Sequence, residues 1–280
     1  MKTQVTPSDA QLYREQGYFI LRGAVPAPLI DRLRVMAEEA RTVAHRLEGP
    51  QTQRLMRIGE HVDTTAAREF QALSEINEAF HTILSPGHTL APGDSMTILF
   101  QPENRCWATA WHRDLRDHVP DEMYEAVLGG GKWEEYASDY NLFNQINCAL
   151  YEDTSTWYVP GTHARLDATA EQLAVKDSRT RAELENWAKQ RSEAEQEVFL
   201  QEYCESMPGA VQIILQAGDL VLYRNCAWHI GNYVPYRRRA TLHTHASTRE
   251  FEAYKVKMAD TMKRIKAHLD AEGAKGKAVA

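Results

Sequence analysis

The sequence predicts an α+β fold: a sandwich or jelly roll of short strands, with helices ahead of it and inserted into it. Three observations carry this. From about residue 95 the chain breaks into short β-rich segments separated by Gly, Pro or Asp. Ahead of them, apolar residues recur at the three- and four-residue steps of a helix. Two stretches, about 115–140 and 168–206, then interrupt the strands with charged, helix-prone sequence.

Taken in order, Thr6 and Ser8 flank a helix start with Pro7 in its first turn, and "SDAQLYREQ" should stop at Gly17. "YFILR" follows as an apolar strand between Gly17 and Gly23. After "GAVPAP", Leu29, Leu33, Met36, Ala40, Val43 and Leu47 form one apolar stripe, the mark of a helix laid on a sheet. Residues 48–90 are polar and helix-prone. The strands expected next are "SMTILFQ", "NLFNQINCALY", "TWYVPG", "VQIIL", "DLVLYRN" and "ATLHTHA". A mixed-sign helix over about 250–270 closes the chain and frays at its end. One domain over 1–280 is expected, with the β core at about 95–250, because one or two inserted helices cannot bury a core of their own.

The 280 residues are 43% hydrophobic and 25% charged, an ordinary globular composition. With 32 Lys plus Arg against 39 Asp plus Glu, the charge is −7, which argues against a nucleic-acid partner. No stretch approaches the length of a membrane span, and the N-terminus lacks a signal-peptide core. Cys106, Cys148, Cys204 and Cys226 form no CxxC pair, so a disulfide framework is not expected and a reducing cytoplasm fits.

Chemistry concentrates in two places. In "AWHRDLRD", His112 and Asp114 stand two apart, and on a strand both would project from one face. Alone, such a pair is as readily a hydrogen-bonded turn as a metal site. In "AGDLVLYRNCAWHIGNYVPYRRRATLHTHA", His229 precedes Gly231, and a short loop leads to Arg237, Arg238 and Arg239. Two His and one carboxylate leave open positions on an octahedral ferrous ion. Fe(II) with Asp114 and a chelating 2-oxoacid balances in charge, and a neighbouring arginine can hold the acid's distal carboxylate by two parallel hydrogen bonds.

Beyond these residues, the chain resembles the phytanoyl-CoA dioxygenase family of Fe(II)/2-oxoglutarate oxygenases over most of its length. "YREQGYFILRGAVPAPLIDRLR" is similar to the family's N-terminal strand and helix, and "WHRD" to its His-x-Asp. "CALYEDTSTWYVPGTH" is similar to a segment usually ending Pro-Gly-Ser-His, and "AGDLVLYRNCAWHIGN" to the distal-histidine segment. The resemblance implies a cupin-like double-stranded β-helix, with His112, Asp114 and His229 as Fe(II) ligands. It implies 2-oxoglutarate as co-substrate, and O2 and a small molecule as the other reactants. The family places its oxoacid arginine a fixed step after the Asn of the distal segment and two residues before an Ala, so with Asn232 and Ala240 the resemblance implies Arg238 as the anchor, with Arg239 as runner-up. Asn147 and Gln145 match positions that contact the oxoacid or the iron's surroundings. Relatives that halogenate lack the carboxylate, so Asp114 implies hydroxylation, with release of succinate and CO2. Desaturation, epimerisation and cyclisation share the same oxidant and stay open. A zinc hydrolase on the same ligands and a non-catalytic small-molecule binder are the alternatives. The first leaves the arginine unexplained, and the second has no need of three ligands.

Other residues take plainer readings. His118 is expected on the surface, and His163 in a structural role. His243 and His245 should line a sheet face behind the site. Trp111, Trp157 and Tyr158 are expected in the core. Trp133, Glu134, Glu135 and Tyr136 form either a lid or a solvated loop.

Overall fold

The structure is a computed structural model. It describes residues 5–114, 116–118, 133–140, 142–179, 183, 184, 186 and 189–278. The chain opens with α1 (Pro7–Gln16), β1 (Tyr18–Leu21) and α2 (Ala27–Glu48). Then come β2 (Arg54–Leu55), α3 (Thr65–Gln71), α4 (Ser74–Ile83), β3 (Thr89–Leu90), β4 (Thr97–Phe100) and β5 (Trp107–Ala108). The central part holds α5 (Trp133–Ser138), β6 (Asn144–Ala149), β7 (Asp153–Tyr158), α6 (Ala170–Asp177) and α7 (Glu193–Glu205). The last part holds β8 (Val211–Leu215), β9 (Leu220–Arg224), β10 (His229–Tyr233), β11 (Ala240–Thr244), β12 (Ala246–Ser247) and α8 (Arg249–Ala278).

The first helix begins and ends where its residues require. The Thr6 side chain accepts from the Asp9 amide while Asp9 reaches back to the Thr6 amide, and Gly17 ends the helix at φ 80°. α2 buries Leu29, Leu33, Met36 and Ala40 as its stripe requires. The buried face then continues to Ala44, and Leu47 in the last turn is exposed.

Two antiparallel sheets face each other. The larger has the order β1-β9-β6-β11-β4-β2 and the smaller β5-β10-β7-β8. From β4 to β11 the chain changes sheet at every connection except β7 to β8, where α6 and α7 are inserted. This is the winding of a double-stranded β-helix. Strand alternation then sorts the side chains. Ile98, Phe100, Ile146, Cys148, Leu220, Leu222 and Leu242 point outward from the larger sheet into one cluster with Leu29, Leu33, Phe70, Phe80 and Ile83. Each fully buried Leu or Ile there contributes about 1.5–3 kcal/mol. A second cluster, with Trp111, Trp157, Trp228 and Ile230, packs α7 through Leu200, Tyr203 and Cys204 on the outside of the smaller sheet.

Between the sheets, Ala149, Tyr158, Ile213, Leu215, Val221 and Tyr223 fill one part of the interior. Asn147, His229 and His243 line a cavity in another. The four cysteines are free and buried. Among the described residues no helix is long and apolar enough to cross a membrane.

The strand carrying His229 departs from expectation. "HIGNY" reads as a loop yet forms β10, paired with β7 on one side and β5 on the other. Its pairing supplies the order that its residues do not advertise. The reverse holds for "WHRD". β5 ends at Ala108, Ala110 takes a left-handed φ of 63°, and Asp114 sits in a turn, not a strand.

Candidate metal centre and its cavity

His112 and His229 form an isolated antiparallel bridge, each amide donating to the other's carbonyl (3.2 and 3.0 Å). Directly opposed residues of such a pair project from the same face, and the two rings lie 4.3 Å apart, centroid to centroid. The Asp114 amide donates to the Asn225 carbonyl at 2.9 Å, which pins the turn against the end of β9. One ligand atom each from His112, Asp114 and His229 therefore lies within 4.8 Å of the others, and His112 Nε2 is 3.6 Å from Asp114 Oδ1.

The rings are also held in a suitable orientation. His112 Nδ1 meets the Ala110 carbonyl and His229 Nδ1 the Ala227 carbonyl, both at 2.9 Å. A carbonyl only accepts, so in the neutral ring each Nδ1 carries the proton and Nε2 is the nitrogen left to face a metal. Ala110 turns left-handed just where its carbonyl must meet the ring. Asn225 Nδ2 donates to Asp114 Oδ2 at 2.8 Å and fixes the carboxylate. Two imidazoles and a carboxylate in this arrangement fit a borderline divalent ion with open positions, so the residues present fit the metal the sequence implied.

Arg113 points away from the centre. Its guanidinium stacks on Trp228 at 4.4 Å and pairs with Asp117 at 3.0 Å, and both partners of the ion pair are buried. Asp117 is therefore a strut beneath the turn, not a surface loop charge. Arg116 lies in the same short helical turn.

The arginine run divides by strand alternation. Thr241 and His243 of β11 face Ala149 and Asn147 across the ladder, which puts Arg239 on the inward side and Arg238 outward. Arg238 is exposed, pairs with Glu38 of α2 at 2.8 Å and stacks on Tyr151. The structure does not bring Arg238 to the triad's cavity, in contrast to the expectation from spacing. The runner-up, Arg239, is buried. Its Nε donates to Asp153 Oδ2 at 2.9 Å, its plane stacks on Tyr233 at 4.4 Å, and Nη1 and Nη2 have no hydrogen-bond partner among the described residues. Burial alone would raise the Asp153 pKa, but the Arg239 charge and bonds from Ser155 and Thr241 hold it below the usual carboxylate range. Arg237 is exposed and reaches Thr154.

Gln145 and Asn147 line the cavity, which has a volume of about 170 Å³. They flank His243, which sits between Asn147 Oδ1 (2.7 Å) and Gln145 Nε2. His243 is therefore part of the cavity wall, and not behind it. Burial, the largest influence on it, pushes its pKa down to about 4, so it is neutral and can accept at one nitrogen while donating from the other. His245 lies beyond β11 and meets Glu252 and Lys255 of α8.

The cavity also takes residues that sequence reasoning did not single out: Gln53, Arg54, Trp107, Thr109, Tyr223 and Tyr233. Arg54 and Gln53 come from the polar 48–90 stretch, where no pattern marks them. Asn225 had no signal beyond its position at a strand end. Trp111 and Trp157 are core, and Tyr158 is tied to the Gly17 carbonyl at 2.9 Å. His163 is buried against α1 and meets the Arg14 carbonyl at 3.1 Å, a structural role. Trp133 is buried against Phe143 and Glu135 is exposed. The side chains of His118, Glu134 and Tyr136 lie outside the described residues.

No protein-family model matches the chain. No curated protein matches it either. Solved structures do. One is SnoN, a non-heme α-ketoglutarate-dependent epimerase from nogalamycin biosynthesis, with 15% identity and a TM-score of 0.52 over 86% of this chain and 80% of that one. EctD from S. alaskensis, solved with 2-oxoglutarate and 5-hydroxyectoine, has 15% identity and a TM-score of 0.55 over 87% of this chain and 76% of that one. SnoK, a carbocyclase from nogalamycin biosynthesis, has 16% identity and a TM-score of 0.52 over 87% and 85%. At such identity the likeness establishes the architecture: an α+β chain built on a double-stranded β-helix with flanking helices.

Proposed function

We propose that this chain is an Fe(II)- and 2-oxoglutarate-dependent oxygenase acting on a small molecule. The observation that carries this is the pairing of an open His112–Asp114–His229 triad with a buried arginine whose Nη1/Nη2 edge has no partner. EctD has been solved with iron and with 2-oxoglutarate, and SnoN with Fe3+ and α-ketoglutarate, which supports the same cofactors here. A zinc hydrolase would leave Arg239 unexplained.

When bound, iron and 2-oxoglutarate supply, with O2, an oxidant strong enough to attack an unactivated C–H bond, with succinate and CO2 as by-products. The chain's part is to hold and orient. His112 and His229 offer their Nε2 lone pairs from fixed rings, and Asp114 offers an oxygen while Asn225 holds the other. Arg239 offers two parallel donors to the distal carboxylate of the oxoacid, and Asp153 keeps its guanidinium in plane. Asn147, Gln145 and neutral His243, hydrogen-bonded to one another, line the cavity beside the triad and would form its wall around a bound oxoacid. Leu99 adds an apolar side chain to the cavity wall.

In the family the sequence resembles, halogenating members lack this carboxylate; its presence here as Asp114 supports hydroxyl transfer as the outcome. Screening small molecules for triggered succinate release under labelled O2 tests both statements. A hydroxylated product carries the label, whereas a desaturated or epimerised product does not. Oxoglutarate-dependent succinate release undiminished in His112→Ala would contradict the proposal as a whole.

A further inference from the structure

Arg224, the last residue of β9, is fully buried. Its guanidinium meets backbone carbonyls rather than a carboxylate. Nη1 donates to the Asp139 and Leu142 carbonyls at 3.0 and 2.7 Å, and Nη2 to the Ala137 carbonyl at 2.6 Å. The Tyr140 ring lies 4.8 Å from the same group. All these partners belong to one segment, the end of α5 and the turn that leads into β6. A buried charge is tolerated only while it is hydrogen-bonded. Withdrawing the segment would strand the guanidinium, so arginine and segment hold each other in place.

The same segment reaches the metal centre through the next residue of each chain. Phe143, at a left-handed φ of 57°, turns its carbonyl onto the Asn225 amide at 3.0 Å. That conformation is unfavourable for phenylalanine and persists only where the surroundings impose it. Here its ring packs on Trp133, 5.6 Å between centroids, at the start of α5. Asn225 in turn holds Asp114 twice. Its carbonyl accepts from the Asp114 amide at 2.9 Å, and its Nδ2 donates to Asp114 Oδ2 at 2.8 Å.

We propose that the segment from α5 to Phe143 is a clasp on the metal-ligating carboxylate, with Arg224 as the positioning residue that closes it. Docked, the clasp sets Asn225, and Asn225 sets Asp114 beside the two histidines. Released, Asn225 loses its support at the Phe143 carbonyl, and the triad loses the fixed place of its third ligand. Metal binding and docking of the clasp then form one linked equilibrium, in which each strengthens the other by the same factor. This rests on the metal reading of the triad, and it does not depend on the oxoacid or the substrate.

The test uses the full chain, first metal-free and then with saturating Co(II), whose visible absorption reports binding. Amide hydrogen exchange, read by mass on peptides from α5 to Phe143, should slow by at least about fivefold with Co(II), the low end of such couplings, while exchange in α4 stays unchanged. Arg224→Lys keeps the charge and loses the fork that spans three carbonyls. In the folded variant Co(II) affinity should fall by at least about fivefold, the same coupling seen from the other side. A merely structural Arg224 would lower the urea midpoint and leave Co(II) affinity unmoved. Exchange from α5 to Phe143 that ignores Co(II), slowing matched in α4, or native Co(II) affinity in folded Arg224→Lys would each overturn the proposal. Should that variant not fold, exchange in the parent chain decides alone. A parent chain that binds no Co(II) takes down the metal reading and this proposal together, whereas binding without protection takes down this proposal only.

Discussion

At the residue scale, the proposed function depends on Asn225 and Arg239 as well as on the three candidate ligands. Asn225 is the side chain that keeps Asp114 turned toward the histidines, with Nδ2 2.8 Å from Oδ2. Partners of this kind typically tune metal affinity, so Asn225→Leu should weaken Fe(II) binding by about 10–100-fold. Anaerobic competition with a chelator measures this, and wild-type affinity would mean that the turn alone positions the carboxylate. Arg239→Lys keeps a charge against Asp153 but loses the planar edge, so it should raise the KM for 2-oxoglutarate at least tenfold, about the loss of one charge-assisted bond. Arg238→Ala removes a surface pair with Glu38 and should leave that KM unchanged; the opposite pattern would return the anchor to Arg238. The triad was legible in the sequence because metal ligation needs particular residue types. The choice among three arginines was not, because it turns on which residue just ahead of β11 faces inward. Spacing from Asn232 cannot count that without knowing how the loop joins the strand.

At the scale of elements, one junction ties the N-terminal helix to the β core. Gly17 sits at φ 80°, its carbonyl accepts from the Arg224 amide and the Tyr158 hydroxyl, and a Cβ there would collide with Tyr158 and His163. Gly17→Ala should therefore destabilise the fold by about 1–3 kcal/mol, combining left-handed strain with overpacking. Urea unfolding measures it, and a change below about 0.5 kcal/mol, the range of surface substitutions, would show that the junction yields. His163 in the same junction has its pKa pushed down to about 4, first by burial and then by the Arg224 charge. Below about pH 6.5 the unfolded chain takes up a proton that the native His163 refuses, so stability falls as pH drops toward 4 and the loss levels off beneath it. His163→Gln removes this titration, so its urea midpoint should fall less between pH 7 and 4.5 than that of the parent chain; parallel losses would assign the acid sensitivity elsewhere. "PGTH" marked His163 as structural, and the Gly17 stop was legible from the residue type. β10 was not, because "HIGNY" faces a cavity on one side. Gly231 leaves room for the Tyr233 ring where a core strand would carry a branched side chain.

At the scale of the whole molecule, the jelly roll was readable because six of its strands are apolar runs between turn signals, and because their outward residues must meet α2 and α7. The larger sheet's cover of α2, α3 and α4 was only half readable. Phe70, Ile76, Phe80 and Ile83 lie in a stretch that looks polar on average, yet all four are buried in the main cluster. The substrate was not readable at all, since composition cannot bring together the strand ends and loops that surround the triad. The proposed function rests on one assembly: two histidines and one carboxylate on a cavity, and a buried arginine stacked on Tyr233 of the cavity wall. Its most direct measurement is anaerobic reconstitution of the metal-free protein with Fe(II), followed by titration with 2-oxoglutarate. The expected result is a weak visible charge-transfer band that saturates with the oxoacid and is lost in Asp114→Ala. Tight binding of Fe(II) with no such band at any oxoglutarate concentration would contradict it.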